Sequence, residues 1–166
     1  IANKESTNEG ITIDCVIFGF NKQSLEILLV QHAEGESIGK WGLLGGWMRK
    51  EESADDAAQR ILYELTSLDN IYLEQLKAFT DPNRVSSQRV VTIAYYTLVN
   101  REDYNIKASA TLREAKWFKI KDIPSLIFDH NEILDFSLTQ LRNRVRQAPI
   151  GFNLLPEKFT LLQLMH

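Results

Sequence analysis

GGWMRKEESADDAAQRILYELTSL, residues 45–68, is the stretch on which the fold turns. Its middle reads as a helix. Ser53 is a good N-cap, because a serine oxygen accepts from one of the backbone N–H groups left free at a helix start. Asp55 and Asp56 fall in the first turn, where the helix dipole favours negative charge. Ser53-x-x-Asp56 approximates a capping box. Ala54, Ala57, Ala58, Ile61, Leu62 and Leu65 recur at helical spacing and give the helix one apolar side. Its end is expected near Leu68-Asp69-Asn70. Residues 61, 64 and 65 share a face through their i, i+3, i+4 spacing. Three acids there would form a compact cluster of hard oxygens, suited to Mg²⁺ held jointly by carboxylates and substrate phosphates. The sequence places Ile61 and Leu65 at two of these positions and a carboxylate only at Glu64.

Outward from this helix the chain is rich in strands. ITIDCVIFGF (11–20) and LEILLVQHA (25–33) are β-branched and aromatic, and the turn-like NKQS between them predicts a hairpin. WGLLGGWM (41–48) is a short extended segment punctuated by glycines that permit close backbone approach. IYLEQLKAFTD (71–81), RVVTIAYYTLV (89–99) and TLREAKWFKI (111–120) read as further strands. A second helix is expected over 130–147 from the periodicity of Ile133, Leu134, Phe136, Leu138, Leu141 and Val145. Strands predominate, and the two helices do not alternate regularly with them. The expected class is therefore α+β, with helices covering a mixed sheet, and not a doubly wound parallel sheet.

The 166 residues suffice for one domain with a real core. A net charge of −3 does not recommend this stretch as a nucleic-acid binder. No apolar run is long enough to cross a bilayer. The polar N-terminal stretch lacks the apolar centre of a signal peptide. The single cysteine, Cys15, excludes an internal disulfide and reads as a buried, inert thiol. Together these features point to the cytoplasm. His32 and His130 have no partners at metal-ligand spacing and read as structural or surface residues. No P-loop is present. Arg142, Arg144 and Arg146 suit the dipole at a helix end, and spaced two apart they point to different sides of the helix.

Residues 45–68 resemble a degenerate Nudix box. That family's box runs Gly, five residues, Glu, seven residues, Arg-Glu, an aliphatic, any residue, Glu-Glu, any residue, Gly, an aliphatic. Gly46, Glu52, Arg60, Leu62, Glu64 and Leu68 match it. Ile61 and Leu65 replace two of the metal-binding glutamates, and Ser67 replaces the closing glycine. The resemblance extends through FTDPNRVSSQRVVTIAYYTLV (79–99), WFKIKDIPSLIFDH (117–130) and PIGFNLLPEKFTLLQL (149–164), which look like segments of Nudix-related transcriptional regulators. Those proteins join a Nudix-like effector domain to a C-terminal winged helix-turn-helix. The resemblance therefore implies a Nudix-type α/β/α sandwich with a mixed β-sheet. Residues 1–9 read as a flexible arm, and the resemblance implies a ligand-binding domain (10–150) and the start of a truncated winged-helix domain (151–166). It implies a domain that senses ADP-ribose for a repressor of NAD metabolism, with no catalytic residue, no metal and no cofactor of its own. Operator DNA would be bound through the missing C-terminal domain, and the protein would be a homodimer. Two alternatives stay open: a hydrolase of nucleoside diphosphate sugars with an altered metal site, and a regulator that senses a sugar such as arabinose on the same scaffold.

The expected ligand-binding residues are Trp41, Gly45, Gly46, Trp47, Arg49, Arg60, Glu64, Arg84 and Arg89, in a cleft between the glycine turn, the box helix and the loop before Arg89. Gly45 and Gly46 let backbone approach a pyrophosphate, or only make a tight turn. Trp41 and Trp47 offer flat faces for adenine, or pack the core; Trp117 is assigned to the core. Arg49, Lys50, Arg84 and Arg89 are guanidinium and ammonium candidates for phosphate. The resemblance gives Arg60 a second role, bracing the loop through an acid such as Glu52. Glu64 accepts from a ribose hydroxyl or is simply solvated.

Overall fold

The computed structural model describes residues 7–22, 24–32, 38–103 and 112–147. The expected arm falls largely outside the described residues, and the expected start of a second domain falls wholly outside them.

Strand β1 (Thr7–Asn21) is the organising element. It runs parallel to β6 (Val91–Asn100) in unbroken register from Ile11↔Val91 to Phe20↔Asn100. Its other edge is shared. The first part pairs antiparallel with β4 (Leu44–Arg49), and the last part pairs antiparallel with β2 (Ser24–His32), the expected hairpin. Beyond β2 lie β3 (Trp41–Gly42) and β7 (Leu112–Lys119), and beyond β6 lies β5 (Glu74–Phe79). Parallel and antiparallel pairs coexist, so the sheet is mixed, as expected.

Alternation along β1 sorts the core into two layers, because successive strand side chains point to opposite faces. Ile13, Cys15 and Ile17 join Leu44, Tyr95 and the buried side of helix α1 (Ala54–Thr66). Val16, Phe18 and Phe20 join Ile27, Leu29, Tyr96 and helix α2 (His130–Gln147). The result is a helix–sheet–helix sandwich of α+β class. Cys15 is fully buried against the Ala58 carbonyl, and burial pushes its thiol pKa far up, so it is inert as expected.

Ser53 caps α1 by accepting from the Asp56 amide at 3.1 Å. The helix ends at Thr66, two residues before the expected stop. Ser67, in left-handed conformation (φ 62°), supplies the C-cap and donates its amide to the Tyr63 carbonyl. This is the position where the family box has glycine, and the backbone turns there without it. Helix α2 occupies the expected residues.

Trp117 packs on the α1-side core, and Gly19 lies beneath its ring. A Cβ at Gly19 would stand 2.4 Å from the nearest indole carbon. Gly19→Ala should therefore cost about 1–3 kcal/mol through overpacking. In a calorimetric scan that is a fall in Tm of roughly 2–4 °C per kcal/mol.

Candidate functional site

The box segment folds around Arg60. Its guanidinium donates to both oxygens of Glu52, through Nε at 3.2 and 2.9 Å and Nη2 at 2.5 Å, and Nη2 also donates to the Trp47 carbonyl at 2.9 Å. The Arg49 amide donates to Glu52 Oε1 at 2.8 Å. One carboxylate thus ties the end of β4, the loop and the helix together, which is the bracing role expected of Arg60. The Arg60 side chain donates to Glu52 and holds its carboxyl below the usual range, while Glu52 raises Arg60.

The face where a metal cluster would sit is mostly apolar. Ile61 is 2% exposed, within the α1-side core, and stands against Gly46. Leu65 packs on the same core. Glu64 is exposed, yet its two oxygens face different guanidinium groups: Arg49 Nη2 at 3.4 Å and Arg60 Nη1 at 3.2 Å. These residues do not fit the divalent cation of a hydrolytic box. Two of the three positions offer no oxygen, and the third already meets positive charge. Among the described residues, no group of three or more His, Cys, Asp or Glu is placed to hold a metal.

A cleft of about 690 Å³ opens on the α2 side. It is formed by residues 39–41, the turn containing Asn83, Arg84 and Ser86, and the segment 125–128. Of the nine expected residues, Trp41 and Arg84 line this cleft. Gly45, Gly46, Trp47 and Arg49 lie on β4, and Arg60 and Glu64 on α1. Gly45 is required by a neighbour: a Cβ there would be 2.3 Å from Asp14 Oδ1. Arg89 is exposed and donates to the Thr80 carbonyl at 3.0 Å. Lys50 is exposed.

Arg84 is not a surface arginine. It is 8% exposed and donates two parallel hydrogen bonds to Asp129, at 2.9 and 2.8 Å. Asp14 Oδ2 lies 3.7 Å from its Nη2 and accepts from the Thr92 hydroxyl at 2.7 Å. His130 closes the cluster. Its Nδ1 accepts from the Leu43 amide at 3.0 Å, and its Nε2 faces Asp14 Oδ1 at 3.5 Å. Burial lowers the His130 pKa, so the ring is neutral, and the bond at Nδ1 places its proton on Nε2. This buried network joins β1, β6, the 81–90 loop and the start of α2. Sequence reasoning named Arg84 but missed Asp14 and Asp129. A signal was present in Asp14, a carboxylate in the middle of an apolar strand, which demands a partner once buried.

Comparison with known proteins gives this geometry a family setting. Residues 9–137 match the family description NUDIX domain. The ADPR responsive transcriptional repressor NtrR of Acinetobacter baylyi is 29% identical over 160 residues, covering 94% of this chain and 64% of the repressor, so the chain spans less than two thirds of that relative. The ADP-ribose pyrophosphatase of Methanocaldococcus jannaschii is 27% identical over 124 residues, covering 75% of this chain and 70% of the enzyme. Among solved structures, the NUDIX domain of Shewanella oneidensis NrtR complexed with ADP ribose superposes with a TM-score of 0.73 at 28% identity, covering 85% of this chain and 94% of that one.

The Glu52 carboxyl gives the brace a pH signature. A carboxylate whose pKa is depressed on folding contributes stability above its unfolded value, near 4.3, and loses it as pH falls through the folded value. Glu52→Gln should therefore be less stable than wild type by about 1–3 kcal/mol at neutral pH. Urea melts over a pH series should show that gap closing below about pH 4.

Proposed function

Because the chain belongs to the NUDIX domain family, we propose that it is the effector-sensing domain of a transcriptional repressor of NAD metabolism. In this reading it binds ADP-ribose without efficient hydrolysis. The observation that carries the proposal is the packing at Ile61 and Leu65. Where a hydrolytic box needs acids, this helix turns one aliphatic side chain into the core and lays the other against it. Glu64 is held by Arg49 and Arg60. The scaffold of the box persists in Gly46, the Ser53 cap and the Glu52–Arg60 brace. The repressor relative from Acinetobacter and the NrtR domain with ADP ribose support the choice of effector.

Mechanistically, the chain's residues would bind and orient the effector and supply no group to break its pyrophosphate. The effector acts only through differential affinity. If it prefers a state in which the DNA-reading elements are misplaced, it weakens operator binding by that difference. The reading elements belong to a winged helix-turn-helix beginning near residue 151, and a symmetric operator calls for a homodimer through residues 10–150. The pyrophosphatase relative keeps a hydrolase as the second reading.

Calorimetric titration with ADP-ribose and then arabinose, each with and without Mg²⁺, separates the readings. The expected result is heat from ADP-ribose in both conditions, with the nucleotide recovered intact. Magnesium-dependent release of AMP at an ordinary enzymatic rate would establish the hydrolase instead. Heat from the pentose alone would establish a sugar sensor.

A further inference from the structure

The segment 71–77 is tied to both helices, although they lie on opposite faces of the sheet. On the α1 side, Gln59 donates to the Ile71 carbonyl at 2.7 Å. The Tyr95 hydroxyl donates to Asp55, in the first turn of α1, and lies 3.3 Å from Gln75 Oε1. Tyr95 is 1% exposed, and burial together with the Asp55 carboxylate pushes its pKa up. On the α2 side, Glu74 accepts from Arg144, in the last turn of α2, at 2.5 Å. Tyr96 stands opposite Glu74 in the β5–β6 register, and burial and the same carboxylate raise its phenol pKa. The Lys77 ammonium sits 4.7 Å from the ring centroid of Phe79 and 4.6 Å from that of Phe136, which belongs to α2.

Neighbouring strand residues face opposite sides, so Gln75 reaches the α1 layer and Glu74 the α2 layer. Residues 74 and 77, three apart, should also face opposite sides, yet both reach α2. The reason is a bulge: Gln75 pairs with Tyr95 and Lys77 with Ala94, which leaves Leu76 as an extra residue. Among the described residues, β5 ends the strand order and is laddered only to β6. A strand bonded along one edge gives way more readily than one bonded along both. This strand therefore grips both helices from a comparatively soft seat.

We propose that β5 is a lever between the box and the end of α2. A ligand seated against the box loop steadies the first turn of α1. Tyr95 and Gln75 pass that order to β5, and Glu74 then holds Arg144 and the last turn of α2 in place. The output is delivered to whatever follows residue 147. The identity of the ligand rests on the ADP-ribose reading, whereas the link between the helices rests on the contacts above. Tyr95 and Glu74 are positioning residues in this scheme and do not touch the ligand.

The test is hydrogen exchange of backbone amides, followed by NMR, in wild type, Tyr95→Phe, Glu74→Gln and the double variant, with and without ADP-ribose. Thermal melts confirm that each variant folds. If Tyr95→Phe does not, Gln75→Ala, at an exposed position, carries the same comparison. Without ligand, Glu74→Gln and Tyr95→Phe should each speed exchange at amides 142–147 by about threefold or more, the scale of one partly exposed ion pair. Amides 133–137 of the same helix should be unchanged, which a general loss of stability would not produce. The double variant should exchange no faster than Glu74→Gln alone, because both changes cut one line of contacts. ADP-ribose should slow amides 142–147 in wild type and in neither variant. If Tyr95→Phe speeds those amides by less, or speeds the whole helix alike, the lever falls. If ADP-ribose binds and leaves the last turn unchanged, the lever falls and the effector reading stands. If Tyr95→Phe acts on the last turn as expected but ADP-ribose does not bind, the effector reading falls and the link between the helices stands.

Discussion

Arg60 is the interaction on which the site depends. Its guanidinium meets Glu52 in the loop, the carbonyl of Trp47 on β4, and Glu64 one turn further along α1. A planar fork with five donors can hold three partners at once, and a lysine cannot reproduce that geometry. Because Arg60 fixes the loop to the helix, the apolar side of α1 meets the sheet in one register, and Ile61 packs against Gly46. The charge arrangement that would prepare a metal site here neutralises its remaining acid instead. The box has its mechanical parts in place, with aliphatic packing groups at positions 61 and 65.

The second organising unit is electrostatic and lies on the other face. Asp14, Thr92, Arg84, Asp129 and His130 are drawn from distant parts of the chain and meet under the cleft. Removing one member of such a network leaves another polar group buried without its partner, so the members hold one another in place. The 81–90 loop is thereby attached to Asp129, the residue just before α2, and α2 runs from there to Gln147. At 1.5 Å per residue, its 18 residues make a rod of about 27 Å. A ligand that moved the loop would therefore act on a rigid element leading toward whatever follows in the chain.

Much of this was legible in the sequence because it rests on periodicity and caps. The hairpin, α1 from its Ser53 cap, the whole of α2 and the mixed sheet follow from local pattern. The substitutions at 61 and 65 could be read directly against the family box. The early end of α1 was not legible, because a serine in left-handed conformation stops the helix where the apolar pattern continues to Leu68. The cleft was legible only through Trp41 and Arg84. Lys40 and Phe128 carry no sequence motif, and their proximity arises from a bridge between Trp41 and Leu126 that spans more than eighty residues. The charge of Arg84 suggests a phosphate partner, yet in the fold that charge meets Asp129 and Asp14. Burial had reversed its meaning, and burial at a loop position is set by tertiary contacts that no local pattern records.

The central claim is that α1 carries a receptor's face and not a catalyst's. It is tested most directly by titrating Mn²⁺ into the isotopically labelled chain with ADP-ribose present and following paramagnetic broadening of backbone amides. The account predicts weak broadening scattered over surface acids, with the amides around Ile61, Glu64 and Leu65 no more affected than the rest. Saturable broadening centred on those residues at micromolar Mn²⁺ would contradict it.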